Sequence, residues 1–171
     1  QLRLVGVLAT AAPYSAELIK AQVVPAVTQC LGKTDAACLP DALRTLAVLC
    51  DDSDGLQQAV AAGAVAAVVG ALEKYVAGNA ASPAAVWAAK ALGRLALADG
   101  EAVAIAAGAA YLPPLVVSAD VEVVRHTLFV LEVLAAQDDA RPALGPGLVR
   151  ALVERLHKVE ALRSSAEEAA S

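Results

Sequence analysis

Apolar residues recur along this chain at spacings of three and four, as in Leu43, Leu46 and Leu49 and again in Leu128, Leu131 and Leu134. Almost no stretch alternates with period two, so the pattern predicts helix nearly throughout. Polar clusters interrupt it at Asp51-Asp52-Ser53-Asp54-Gly55, Gly78-Asn79, Asp99-Gly100 and Gln137-Asp138-Asp139. Ser82-Pro83 reads as a helix N-cap followed by proline at the first helical position. The expectation is an all-α chain of short helices, each about 8 to 15 residues long.

An internal repeat organises these helices. Val60-Ala61-Ala62-Gly63-Ala64-Val65 is matched by Ile105-Ala106-Ala107-Gly108-Ala109-Ala110, and Ile19-Lys20-Ala21-Gln22-Val23-Val24 carries the same pattern with Gln22 in the glycine position. Leu144-Gly145-Pro146-Gly147-Leu148-Val149 is a weaker fourth copy. The turn positions 22, 63, 108 and 147 are 41, 45 and 39 residues apart. A second string, Val5-Gly6-Val7-Leu8, Leu46-Ala47-Val48-Leu49, Leu92-Gly93-Arg94-Leu95 and Leu131-Glu132-Val133-Leu134, has its last leucines 41, 46 and 39 apart. Both anchors give a period of about 42. Residues 76–82, rich in Gly, Asn and Ala, account for the long middle interval. In the third copy, Leu112-Pro113-Pro114-Leu115 aligns with Val24-Pro25-Ala26-Val27 only if the turn moves from Gly108 to Ala110.

Composition sharpens this picture. Hydrophobic residues make up 58% of the chain and charged residues 18%, which excludes a disordered polymer. About a quarter of the residues are alanine, so helices can pack closely. The uncharged run Ala102–Ala119 has 18 residues, enough in length to span a membrane. It contains Gly108, Pro113, Pro114 and seven alanines, and reads better as two short helices joined by a glycine turn. The net charge of −5 excludes generic nucleic-acid binding, which requires a basic surface. Cys30, Cys38 and Cys50 are odd in number and lack zinc-ligand spacing, so they are expected to be buried, reduced thiols. No Met stands at position 1, and the chain reads as a fragment or a processed product.

The chain resembles armadillo repeats: a short first helix, a glycine turn, a second helix with an early proline, and a long third helix ending in Ala-Leu-x-Asn-Leu. Ala-Gly-Ala-Val at 62–65 and Ala-Gly-Ala-Ala at 107–110 carry the turn, Val24-Pro25 the second-helix start, and Ala91-Leu92-Gly93-Arg94-Leu95 the third-helix end. The resemblance implies a right-handed α-solenoid, with two-helix HEAT repeats as the nearest alternative. It divides the chain into 1–10 (the end of a preceding repeat), 14–50, 56–97, 101–136 and a degraded last repeat at 140–171. Repeats of this kind cannot close a core alone and must stack. Leu162–Ser171 is expected to be a polar frayed cap or tail, with Glu167 and Glu168 solvated.

In peptide-binding members of the family, an Asn and a Trp four residues before it line a groove along the third helices. The corresponding Asn positions here are Val48, Arg94 and Val133, and the Trp positions are Arg44, Lys90 and Phe129. That array is missing, which counts against binding of a nuclear-localisation peptide. In its place Arg44, Lys90, Arg94 and Arg125 recur on successive third helices, either as ordinary solvated cations or as a basic strip suited to an acidic segment or helix of a partner. Phe129 and Trp87 read as core residues. His126 and His157 have no companions at ligand spacing.

No catalytic or phosphate-binding motif occurs; Gly145-Pro146-Gly147 lacks the strand-to-helix context of a phosphate loop. The acidic cluster Asp51, Asp52 and Asp54 lacks the closing Glu of a calcium loop. The expectation is therefore a non-enzymatic interaction scaffold without cofactors or metals, acting in a larger complex. Ladder-poor armadillo repeats occur in structural proteins, including axonemal and radial-spoke components. The resemblance thus extends the expected location from the cytoplasm to the cytoskeleton and cilium. A regulatory module, such as a chaperone cofactor or the adaptor part of a longer protein, is the alternative.

Overall fold

Polar residues at the breaks in the apolar pattern become helix caps. The computed structural model describes residues 2–11, 14–33, 35–76 and 80–169. It is 79% helical, with no strand among the described residues. The helices are α1 (Leu2–Ala9), α2 (Tyr14–Lys20), α3 (Val23–Leu31), α4 (Leu39–Leu49), α5 (Ser53–Ala61), α6 (Ala64–Ala71), α7 (Pro83–Ala98), α8 (Gly100–Ala107), α9 (Leu112–Val116), α10 (Val121–Ala136) and α11 (Pro146–Ala169). A π-helical turn, Leu72–Val76, prolongs α6, and a 3-10 turn, Arg141–Ala143, precedes α11.

Asp52 accepts from the Asp54 and Gly55 amides at 2.8 and 3.4 Å and so starts α5. Ser82 accepts from the Ala85 amide at 3.3 Å, with Pro83 at the first position of α7. Asp99 and Asp120 do the same for α8 and α10. Each such cap contributes about 1 kcal/mol.

The most extensive helix contacts join α1 to α4, α4 to α7, and α7 to α10. These four helices carry the second repeated string, and its leucines enter the core: Leu46, Leu49, Leu92, Leu95 and Leu134 are all fully buried. Helix α7 is enclosed on both sides. Ala84, Ala85, Ala88, Ala89, Ala91, Leu92, Leu95 and Ala96 are buried, and small side chains let two neighbours approach it at once. The shorter helices form the remaining contacts, with α3 on α5 and α6, α6 on α8, and α9 on α11.

The period appears directly in the polar contacts between distant helices. Gln58 Nε2 donates to the Ile19 carbonyl, Ser118 Oγ to Ala80, Gln137 Nε2 to Ala96, and Arg155 Nη1 to Ser118. These bonds bridge 39, 38, 41 and 37 positions. Each joins an element to one that lies about one period earlier.

The first two turn positions share an unusual backbone. Gln22 has φ 58° and Gly63 φ 73°, both left-handed, and each directly precedes a helix. Gly108 differs: its φ and ψ are both −55°, and the next helix waits until Leu112. The reversal is spread over residues 108–111 because the paired prolines 113 and 114 belong in the first turn of α9, where a missing amide is tolerated. A Cβ at Gly108 would collide with the Ala104 carbonyl oxygen and lie 3.1 Å from that of Ala143, so glycine serves close approach there. Gly147 is not a turn either, because α11 already begins at Pro146.

Two further expectations are corrected. Only Cys50 is buried; Cys30 and Cys38 are exposed. The buried face of α3 is formed by Val24, Val27, Thr28 and Leu31, which turns Cys30 away, and Cys38 stands ahead of the first turn of α4. The expected tail from Leu162 is helical through Ala169, consistent with its Ala, Glu, Leu and Arg content. The side chains of Glu167 and Glu168, and residues 170–171, lie outside the described residues. Run 102–119 does form two short helices, α8 and α9, and among the described residues no single helix is long and apolar enough to cross a membrane.

Candidate partner-binding cleft

Lys90 and Arg94 stand one turn apart on α7, and Arg125 and Phe129 one turn apart on α10, so each pair shares a helix face. Because α7 and α10 pack side by side, these four residues meet. With His126, Leu128 and Glu132 they line an open cleft of about 490 Å³. Gly93 permits the approach: a Cβ there would lie 2.8 Å from Phe129 Cδ1.

The cations are held in place by anions from their surroundings. Asp51, in the loop after α4, sets Oδ1 2.6 Å from Arg94 Nε and Oδ2 3.7 Å from Lys90 Nζ. Arg125 pairs with Glu122 one turn earlier on α10. Lys90 Nζ also lies 5.5 Å from the centroid of the Trp87 ring, and the Arg44 guanidinium lies 5.6 Å from it. Two cations on one indole form a cation–π arrangement that orders both long side chains. Trp87 itself packs against the core.

His126 is half-buried at the edge of the cleft. Its Nε2 lies 3.4 Å from Arg125 Nη2 and 3.8 Å from Glu122 Oε2. Burial, and then the positive charge of Arg125, holds the ring below its ordinary pKa. At the C-terminal end of α4, burial and the neighbouring Asp51 push the Cys50 thiol up to about 12.

Of the third-helix positions singled out from sequence, Lys90, Arg94, Arg125 and Phe129 therefore meet in one place. Arg44 joins them only through Trp87. Val48 faces a separate depression with Ala9, Thr10, Ser15, Asp51 and Asp52. Sequence reasoning missed Asp51, Glu122, His126, Leu128 and Glu132. A signal for Asp51 existed, since it precedes Arg94 by 43 residues, close to one period. Phe129, expected in the core, lines the cleft instead. Among the described residues no group of three or more His, Cys, Asp or Glu side chains could hold a metal ion.

No protein-family model matches the chain, and no curated protein matches it. The cleft itself carries the chemistry that a partner would meet. It offers three permanent cations, a titratable imidazole and an apolar wall of Leu128 and Phe129, which suits an acidic side chain flanked by an apolar one. Asp51 already occupies the position that such a carboxylate would take on Arg94.

Proposed function

We propose that this chain is a segment of an armadillo-type α-solenoid acting as a non-catalytic scaffold, and that it holds an acidic segment of a partner protein in the cleft between α7 and α10. The solenoid reading draws support from the serial packing of α1, α4, α7 and α10, and from hydrogen bonds that span about one period. The shared left-handed turns at Gln22 and Gly63 support three-helix units. One observation carries the partner reading: the convergence of Lys90, Arg94, Arg125 and Phe129 on an open cleft. The partner-contacting set is then Lys90, Arg94, Arg125, His126, Leu128 and Phe129. Membership of a larger cytoplasmic or ciliary assembly is the biological setting of this proposal.

Native purification of the natural protein that carries this chain tests the reading, with partner stoichiometry measured for the unaltered and altered forms. A stoichiometric complex that is lost on Arg125→Glu and on Lys90→Gln/Arg94→Gln, with helicity retained by circular dichroism, supports it. A complex kept at full stoichiometry by these variants overturns the cleft assignment. Recovery of only substoichiometric, changing chaperones and clients overturns the scaffold reading.

A further inference from the structure

His126 stands between two groups that make opposite demands on it. Arginine can only donate, so the contact at 3.4 Å between Arg125 Nη2 and His126 Nε2 requires a lone pair on that nitrogen. Such a hydrogen bond forms only with a neutral ring whose proton is on Nδ1. Glu122 Oε2, at 3.8 Å from the same Nε2, becomes its partner only when Nε2 carries a proton. The charged groups acting on the ring are Glu122 and Arg125 from α10 and Lys90 and Arg94 from α7. Asp51 draws on both α7 cations from the loop after α4, and Glu132 lines the same cleft from α10. Burial first, and then the charge of Arg125, disfavours a proton on the ring in the free protein, against the pull of Glu122.

An incoming carboxylate changes both conditions. It draws Arg125 toward itself and frees Nε2, and it adds a negative charge beside the imidazole. From this geometry we infer that the cleft binds an acidic side chain together with one proton on His126, so that the partner is held more tightly as pH falls from 7.5 to 5.5. This inference rests on the acidic-partner reading above. Its sign follows from linkage: the bound state holds a proton that the free state lacks, so acidification favours binding. The gain ends where the free protein also protonates His126, below the ordinary histidine range.

The test uses a hexaglutamate peptide as probe, with affinity measured by calorimetry at pH 7.5 and 5.5. One linked proton gives at most about tenfold per pH unit, so a tightening of about fivefold or more is expected. His126→Gln should show no such gain between the two pH values, whatever its affinity at pH 7.5. The ring resonance of His126 should also titrate at higher pH with peptide bound. Equal affinity at both pH values, or the same gain in His126→Gln, overturns the inference and leaves the acidic-partner reading standing. No binding at either pH, with the fold intact, overturns that reading and this inference with it.

Discussion

Asp51 and Arg94 form an ion pair at 2.6 Å across 43 residues of sequence, linking the loop after α4 to the middle of α7. The pair ties the loop after α4 to α7 and also places an internal carboxylate on the cation that an acidic ligand would seek. Asp51→Asn should therefore have two opposite effects. Both side chains are more than a third exposed, so the lost pair should lower stability by at most about 1 kcal/mol. Affinity for hexaglutamate should rise, because Arg94 and Lys90 lose their internal competitor. Thermal melting and calorimetry on the same sample check this; weaker peptide binding would show that Asp51 orients the cations rather than competing for them.

The two left-handed turns predict a pair of opposite shifts. Gly63 has open space around it but φ 73°, so Gly63→Val should cost at least about 1–2 kcal/mol through backbone conformation alone. Gln22 adopts a similar φ without being glycine, and Gln22→Gly should stabilise by about 0.5–1 kcal/mol as that strain is relieved. Denaturant melts of the two variants decide the matter. Equal destabilisation by both would contradict the left-handed assignment.

Gly93→Ala should press on Phe129, the nearest group to the added methyl. Overpacking of this kind costs about 1–3 kcal/mol and should shift Phe129 into the cleft. The expected result is weaker peptide binding together with a lower melting temperature. Full affinity would mean that Phe129 does not contribute to the cleft wall.

His126 also predicts the acid limb of stability. Its folded-state pKa lies below the ordinary 6.5, so the folded chain binds fewer protons than the unfolded one. Stability is then complete above pH 6.5 and falls as pH drops through the folded value. His126→Gln should flatten this loss between pH 7 and 5, as measured by urea unfolding at each pH.

Cys50 predicts the alkaline limb with the reverse sign. Its thiol is held at about 12 against 9.0 when unperturbed, so the contribution is complete below pH 9 and disappears as pH rises toward 12. The linked change is about 4 kcal/mol at full ionisation. Cys50→Ala should unfold less steeply across that interval. A thiol reagent at pH 8 should label Cys38 rapidly in the native chain and Cys50 only after denaturation.

The sequence by itself determined the helical class and several helix starts, because these depend on local physics. Apolar spacing sets which residues can share a helix face. Capping residues such as Asp52, Ser82 and Asp120 act within three positions of themselves. Glycine and proline restrict the backbone where they stand. Even so, a local cue misled at Gly108, where glycine meets close approach to the Ala104 and Ala143 carbonyls rather than a left-handed turn.

Tertiary structure alone decided which way each helix is rotated about its axis, and with it the exposure of Cys30 and the placing of Phe129 in a cleft. It also decided which charges meet. Lys90, Arg94 and Arg125 were legible as a recurrent basic set, but their anions were not. Glu122 is a near neighbour in sequence, whereas Asp51 reaches Arg94 only because α4 packs on α7. Pairing energies fall off over a few ångströms in space, and separation along the chain carries no such distance until the helices are stacked.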